Sequence, residues 1–546
     1  LQTAADYLPA RWESENKNFG RITSGAALAL KGRVELLYAS PLFNRADDVT
    51  RWETAYQTNL AAVKKLEEGN FGLAYENNSG KNAAGWGKIF SDYIGSEGGG
   101  GTVSEAVLVT LYNNVSPAEH LQLEKWNGWE HSLRPANAGG GGGMTPTAEM
   151  VDLFPMADGK KPNDMNGSYD YNQELFFLNR DPRFYRTFAF PGVEWKFDSD
   201  DLKSFGEKGQ LPYGINGYTT GNNYKLWNYC WYDNVDDRNS NSKSGYAADC
   251  LGTKNTGIYL RKRTDDLALN SNPLYIFEKT SGNGFRQSAA PYMEIRFAEV
   301  LLNYAEAACG ANHFDEAVNA LKRIRKRVGY TDNCGLDPAI FNDRAKLFEA
   351  ILYERQIELA YEGKRFHDVR RWMLFDGGVG QEALKSTWKL TGFNGNTCNY
   401  LGVEPLNGQR RHRIEVYAKN FIAAKSNNVY NEDKTIKETY DELWNKRPTA
   451  LSLTEDITCT ESADDEITYA DAKVKALAQF YQEHFKRKNL STDGNDETIL
   501  PTFKPYYYIL GFKKNAMQNN VSLEQNIGWG DYWRGGADGT FDPLAE

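Results

Sequence analysis

The sequence predicts a mainly α fold: two blocks of antiparallel helix hairpins, separated by a large irregular, loop-rich region. Three observations carry this. Residues 291–372 repeat apolar side chains at three- and four-residue spacing. Residues 21–69 do the same over a shorter stretch. The residues between lose that period and carry glycine runs, Gly98–Gly101 and Gly139–Gly143, among short aromatic segments.

In chain order, Ala27, Leu30, Val34 and Leu37 form a first stripe, and Trp52, Tyr56, Val63 and Leu66 a second, with Pro41 breaking the chain between them. Residues 70–290 read as loops, short strands and isolated helices. Helical spacing returns with Ile295, Ala298, Leu302, Ala305 and Cys309, and Gly310 follows as a C-terminal cap. Phe314, Ala317, Val318, Leu321, Ile324 and Val328 make the next face, ended by Gly329. The connection is so short that these two helices must run antiparallel. Asp337-Pro338 is a start signal for a third helix, with Leu347, Ala350, Ile351 and Ile357 inward. The small residues Ala298, Ala305, Ala308 and Ala317 permit close backbone approach, as in tetratricopeptide-like hairpins. A further helix is expected near Tyr469–Lys486. The implied division is 1–75, an incomplete helical hairpin; 76–290, an irregular aromatic-rich ligand-binding region; 291–372, a second helical block; and 373–546, a mixed region with a polar variable insertion at about 395–502. Each helical block is too small to stack alone, so all four are expected to form one composite unit.

The words IRFAEVLLNYAEA and ERQIELAYEGKRFHDVRRW resemble the two most recognisable segments of the SusD/RagB family. GRITSGAALALKGRVELLYASPLFN, TPTAEMVDLFPMADGK, RDPRFYRTF, TGIYLRK and LEQNIGW fit further family segments, in family order. The resemblance implies a nutrient-binding outer-membrane lipoprotein of the Bacteroidetes. Such a protein captures ligands, usually glycans, at the cell surface for a SusC-like TonB-dependent transporter. The opening LQTAADYLPARWESENKNFGRITSG resembles a segment that family members reach after an earlier helical region. A leading part carrying the lipid anchor, the sole expected membrane attachment, is therefore expected to precede it.

A formal net charge of −10 argues against a nucleic-acid groove. The basic run Lys322, Arg323, Arg325, Lys326, Arg327 sits beside an apolar helix face and reads as a solvated or salt-bridged surface. Six cysteines are scattered without metal-ligand spacing, and no cofactor motif occurs. Cys230 and Cys250 share an irregular region, either bridged or as free thiols.

Glu354, Glu358 and Glu362 share one helix face, a spacing that paired carboxylates of a secreted glycoside hydrolase would also satisfy. Arg355, Arg365, Arg370 and Arg371 lie so near that a structural ion-pair network is the better reading, and Arg296, Glu299, Asn303 and Glu306 read the same way. No catalytic residue is assigned. The ligand signal is aromatic: 32 Tyr, 27 Phe and 13 Trp, many in polar loops rather than helical stripes. Sugar rings stack on Trp and Tyr while their hydroxyls need amide or carboxylate partners. Tyr224, Trp227, Asn228, Tyr229 and Trp231 supply both in one segment, and Trp126 and Trp129 form a smaller version. Each ring has a competing role as core packing beneath a loop. The expected ligand is an oligosaccharide, or alternatively a peptide bound in extended form.

Overall fold

The computed structural model describes residues 1–13, 15–91, 103–114, 125–134, 140, 144–195, 224–227, 229, 257–264, 285, 287–381, 384–419, 429–430, 436–438, 443, 446–453, 459–460, 468–469, 472–491 and 501–545.

The principal helices are α1 (Ser24–Ala39), α2 (Val49–Glu68), α3 (Phe297–Gly310), α4 (Phe314–Arg327), α5 (Arg344–Glu358), α6 (Arg365–Arg371) and α7 (Ala472–His484). Thr23 caps α1 by accepting from the Ala26 amide, Asp48 caps α2 through Thr50, and Asp343 caps α5 through Lys346. Asp337-Pro338 opens only a short 3₁₀ turn, Pro338–Ile340, ahead of α5. The two sequence-distant blocks share one core: Trp52 of α2 lies 5.2 Å from the Phe348 ring of α5 and 6.2 Å from Trp372.

Helix α1 turns a different face inward from the one its larger side chains suggest. Val34 is 53 % exposed, and Leu37 and Tyr38 also face out. The buried face is Gly25, Ala29, Gly32, Leu36 and Ala39. A Cβ at Gly25 would fall 2.5 Å from Leu66 Cδ2, and one at Gly32 would overlap Asn59, so small residues bring α1 and α2 together. Gly310 acts similarly: a Cβ there would overlap the fully buried Trp52 indole. Gly310→Ala is expected to cost about 1–3 kcal/mol through this overpacking, measurable as a lower urea midpoint at unchanged slope.

The helix expected from Pro291 starts later. Tyr292–Arg296 is a strand, paired antiparallel with Ala106–Thr110. Further on, Phe485–Ser491 pairs antiparallel with His412–Ala418, from Phe485 opposite Ala418 to Ser491 opposite His412. A small sheet joins Leu451–Ser452, Val193–Trp195 and Tyr224–Leu226. These strands and α7 enclose a second core, rich in phenylalanine, beneath the irregular region. Helix α5 serves both cores: Ile351 belongs to the first and Ile357 to the second.

Between those two positions, Glu354 and Glu358 meet a fully buried set of charges. Arg183 Nη1 donates to Glu358 Oε2 at 2.9 Å and also reaches Glu354; Arg296 Nη1 donates to Glu358 Oε1 and to Glu105 Oε1, both at 2.8 Å. Arg327 binds Glu105 Oε2 at 2.6 Å and pairs with Glu358, while Trp86 Nε1 donates to Glu358 Oε1 at 3.0 Å. Glu362 takes Arg296 Nε at 2.7 Å and Lys262 Nζ at 2.6 Å. Burial alone would raise the Glu358 carboxyl, but Arg327, Arg296, Arg183 and Lys262 hold it well below the ordinary range. A second set joins Glu306, Arg371, Asp368, Arg355 and Trp372, with Asn303 accepting from Arg355 at 2.7 Å. The structural reading of these glutamates therefore holds. The basic run on α4 is salt-bridged too, and Arg327 lies wholly inside. Arg365 and Arg370 depart from that reading. Neither forms an ion pair among the described residues; Arg370 stacks on Phe366 at 3.7 Å.

Candidate functional site

A cleft of about 1030 Å³ opens among the described residues, at the upper end for small-ligand sites. One wall comes from α5 and α6, through Leu352, Tyr353, Gln356, Arg365 and Val369. The opposite wall is the segment from Thr147 to Gln173, and residues 401–411 with Leu374 and Phe375 close an end. The sequence places these groups simply. On α5 the 3.6-residue period sends Leu347 and Ile351 to the core and leaves Tyr353 and Gln356 half-buried at its edge.

Three half-buried rings line the cleft. Tyr353 donates to the Leu153 carbonyl at 2.6 Å, with Lys161 Nζ 5.0 Å above its ring. Tyr171 donates to Asp152, which also takes both ends of Arg487 at 2.6 and 2.8 Å. Phe375 lies stacked on Phe503 at 3.7 Å. Burial pushes the Tyr171 phenol up to about 12, so it stays a neutral donor. The lining acids are largely engaged. His412 Nδ1 lies 2.6 Å from Glu149, Lys161 pairs with Glu349, and Glu404 accepts from Gln409 at 3.1 Å. Among the described residues, the Gln356 amide and the Arg365 guanidinium make no hydrogen bond. Half-buried rings for stacking and the Gln356 amide for hydroxyls suit a polar ligand with flat apolar faces.

The aromatic segments expected to bind are placed differently from one another. Trp227 is 6 % exposed and Tyr229 is fully buried, so neither has a free face for a sugar. Trp227 meets Phe480 of α7 at 5.7 Å; Tyr229 meets Phe485 at 4.7 Å and accepts from Arg447 at 3.0 Å. These two are corrected to core residues. Their partners lie some 250 residues away along the chain, beyond the reach of local pattern. Tyr224 is described only by its backbone, in the strand Tyr224–Leu226. Asn228 and Trp231 lie outside the described residues, as do Cys230 and Cys250. Cys309, Cys334 and Cys398 are free and buried.

Trp126 and Trp129 are half-buried. Asn127 fixes the turn: its side chain accepts from the Trp129 amide at 3.0 Å and donates to the Ala290 carbonyl at 2.7 Å. Arg263 lies 4.4 Å over the Trp129 ring and 4.6 Å over Tyr292. The slot beside them holds about 30 Å³, room for a water rather than a sugar. A ligand could meet Trp129 only from outside. The cleft residues Tyr171, Tyr353, Gln356 and Phe375 were missed because the sequence signal sought was aromatic clustering in loops. No helix of the described residues is long and apolar enough to cross a membrane.

Comparison with known proteins gives a consistent picture. The SusD family model matches residues 87–529. The SusD-like protein P2 of Formosa agariphila is 34 % identical over 131 residues, 22 % of this chain and 25 % of that protein. The match thus spans a quarter of that relative's length. Among solved structures, a SusD-like protein from Bacteroides fragilis NCTC 9343 aligns with a TM-score of 0.51 at 19 % identity, covering 96 % of this chain and 68 % of that one. The protein BT4246 aligns with a TM-score of 0.54 at 19 % identity, covering 96 % and 74 %. At such identities these two speak for the fold, which is mainly helical and SusD-like. With the family model covering well over half its length, the chain belongs to the SusD family.

Proposed function

We propose that this protein is a non-catalytic, cell-surface nutrient receptor that holds an oligosaccharide and delivers it to a SusC-like TonB-dependent transporter in the outer membrane. Membership of the SusD family supports the general role. The observation that carries the ligand class is the large cleft, whose half-buried rings and unpartnered amide match a pyranose better than an extended peptide backbone. Its four lining carboxylates are engaged by neighbouring groups, and the Glu354–Glu358–Glu362 face is buried in arginine pairs, so the carboxylates on this face have structural work instead of turnover. The Trp126–Trp129 surface is proposed as an additional stacking contact. Lipid anchoring at the outer membrane, as a lid on the transporter barrel, belongs to the same reading.

The test is a binding screen of the intact chain against oligosaccharides and peptides, followed by calorimetry with Gln356→Ala. This amide has no structural partner, so stability should hold while affinity for the selected oligosaccharide falls about tenfold, the worth of one well-placed hydrogen bond to a polar ligand. Binding of peptides alone would favour the peptide-capturing alternative. Release of reducing ends from a polysaccharide would favour a hydrolase and sink the receptor reading.

A further inference from the structure

The charges of the cleft are unevenly satisfied. Asp152 is taken by Arg487, Glu349 by Lys161 and Glu149 by His412. Glu404 is exposed and receives an amide hydrogen bond. Arg365 and Arg411 both line the same cleft, half-buried, and among the described residues neither has a carboxylate at ion-pair distance. Arg411 donates once, to the neighbouring Arg410 carbonyl at 3.0 Å. Arg365 donates to none of the described residues. The carboxylate nearest it on α6, Asp368, is already held by Arg355 at 3.1 and 3.2 Å and by Arg371 at 2.7 Å. Among the described residues, buried arginines are matched either to acids, as around Glu358 and Glu306, or, for Arg180, to a set of backbone carbonyls. Arg365 has neither and Arg411 a single carbonyl, so their guanidinium hydrogens are left unspent, which is costly for a half-buried group unless something else supplies acceptors.

We propose that the cleft takes an acidic oligosaccharide, one bearing uronate carboxylates or sulfate esters, with Arg365 and Arg411 as its anion-binding pair. This rests on the glycan reading above and narrows it. Both anions have the planar or trigonal oxygen edge that a guanidinium grips with two parallel hydrogen bonds. The half-buried rings of Tyr353 and Phe375 would lie against the C–H face of the sugar. The chain's net charge of −10 offers no general attraction to anions, so selectivity for an acidic sugar has to come from this local pair.

The experiment is calorimetry on the intact chain with matched short oligosaccharides of three kinds: uronate-bearing (oligogalacturonate and oligoalginate), sulfated without uronate (carrageenan fragments) and neutral (cello- and laminari-oligosaccharides). At least one acidic set should bind, and whether it is the uronate or the sulfate set identifies the anion. Arg365→Gln and Arg411→Gln should each weaken that binding at least tenfold. Arg411 is half-buried but makes a single hydrogen bond, to its own chain neighbour, so Arg411→Gln should keep the parent melting temperature; it decides the matter if Arg365→Gln folds poorly. Binding of neutral sugars alone would overturn the proposal and leave the glycan reading intact. Acidic binding unchanged in both variants would overturn it as well. Failure of every sugar, with peptides bound, would remove both readings together.

Discussion

Glu358→Ala is expected to destabilise the protein by about 3–5 kcal/mol, the cost of breaking a buried ion pair by deleting one partner. Glu358 is fully buried and serves three arginines, Arg183, Arg296 and Arg327, as well as the Trp86 indole. Glu105, Asp181, Glu354 and Glu362 would remain against Arg183, Arg296, Arg325, Arg327 and Lys262, so the cations would outnumber the acids. Glu358→Gln separates charge from shape: it keeps the volume and an acceptor for Trp86, yet still leaves the arginines undercompensated. Both variants should therefore show lower urea midpoints, alanine more so. Ligand affinity of the molecules that remain folded should match the parent. Losses below 1 kcal/mol in both would mean that the network is not what joins the two cores.

Acid should act on the same groups. The Glu362 carboxyl is raised by burial but lowered more by Arg296 and Lys262, and settles at about 2. Asp368 is likewise lowered, against burial, by Arg355 and Arg371. In the unfolded chain these carboxyls return to ordinary values near 4–4.5. Between the two values the unfolded state binds more protons, so stability present above about pH 4.5 is lost as the pH falls toward 2. Glu362 alone accounts for on the order of 3 kcal/mol of that loss. Lys262 works at the other end: burial lowers it to about 8 against the attraction of Glu362. From there to its ordinary value the unfolded chain holds the extra proton, so this lysine adds stability with rising pH instead of removing it. Denaturant midpoints at pH 7, 5, 3.5 and 2.5 would show a plateau followed by a steep fall. A flat profile down to pH 2.5 would refute the assignment.

How far the sequence could be read follows from where each signal lies. The helices of residues 297–358 are legible because their apolar spacing is local, and Ala298, Leu302, Ala305 and Cys309 are all buried on the helix Phe297–Gly310. In α1 the helix was legible but its inner face was not. Nearly every residue there is apolar or small, and glycine fit against Asn59 and Leu66 decides the orientation instead of hydrophobicity. Tyr292–Arg296 became a strand through pairing with Ala106–Thr110, a partner that no window on the sequence includes. The glutamate stripe pointed correctly to ion pairs, yet Glu105 and Arg183 could not be foreseen as members. For the site, aromatic clustering led to Trp227 and Tyr229, which α7 and Phe485 cover. Arg365 stood inside a segment whose other charges are structural, and only the unfilled space beside it sets it apart.

The buried charges also bear on how the chain reaches its fold. The contacts of Glu358 span 175 residues to Arg183 and 272 to Trp86, and Arg296 reaches Glu105 across 191. Loops of this length close slowly, and the reward arrives only when the last member is seated. Until then, any premature collapse would strand arginines in an apolar interior, which disfavours misassembled compact states as firmly as it favours the native one. The arrangement makes for sluggish, highly cooperative assembly. A polypeptide cut between residues 263 and 287 would divide the network, and each half should stay unfolded until the other is supplied.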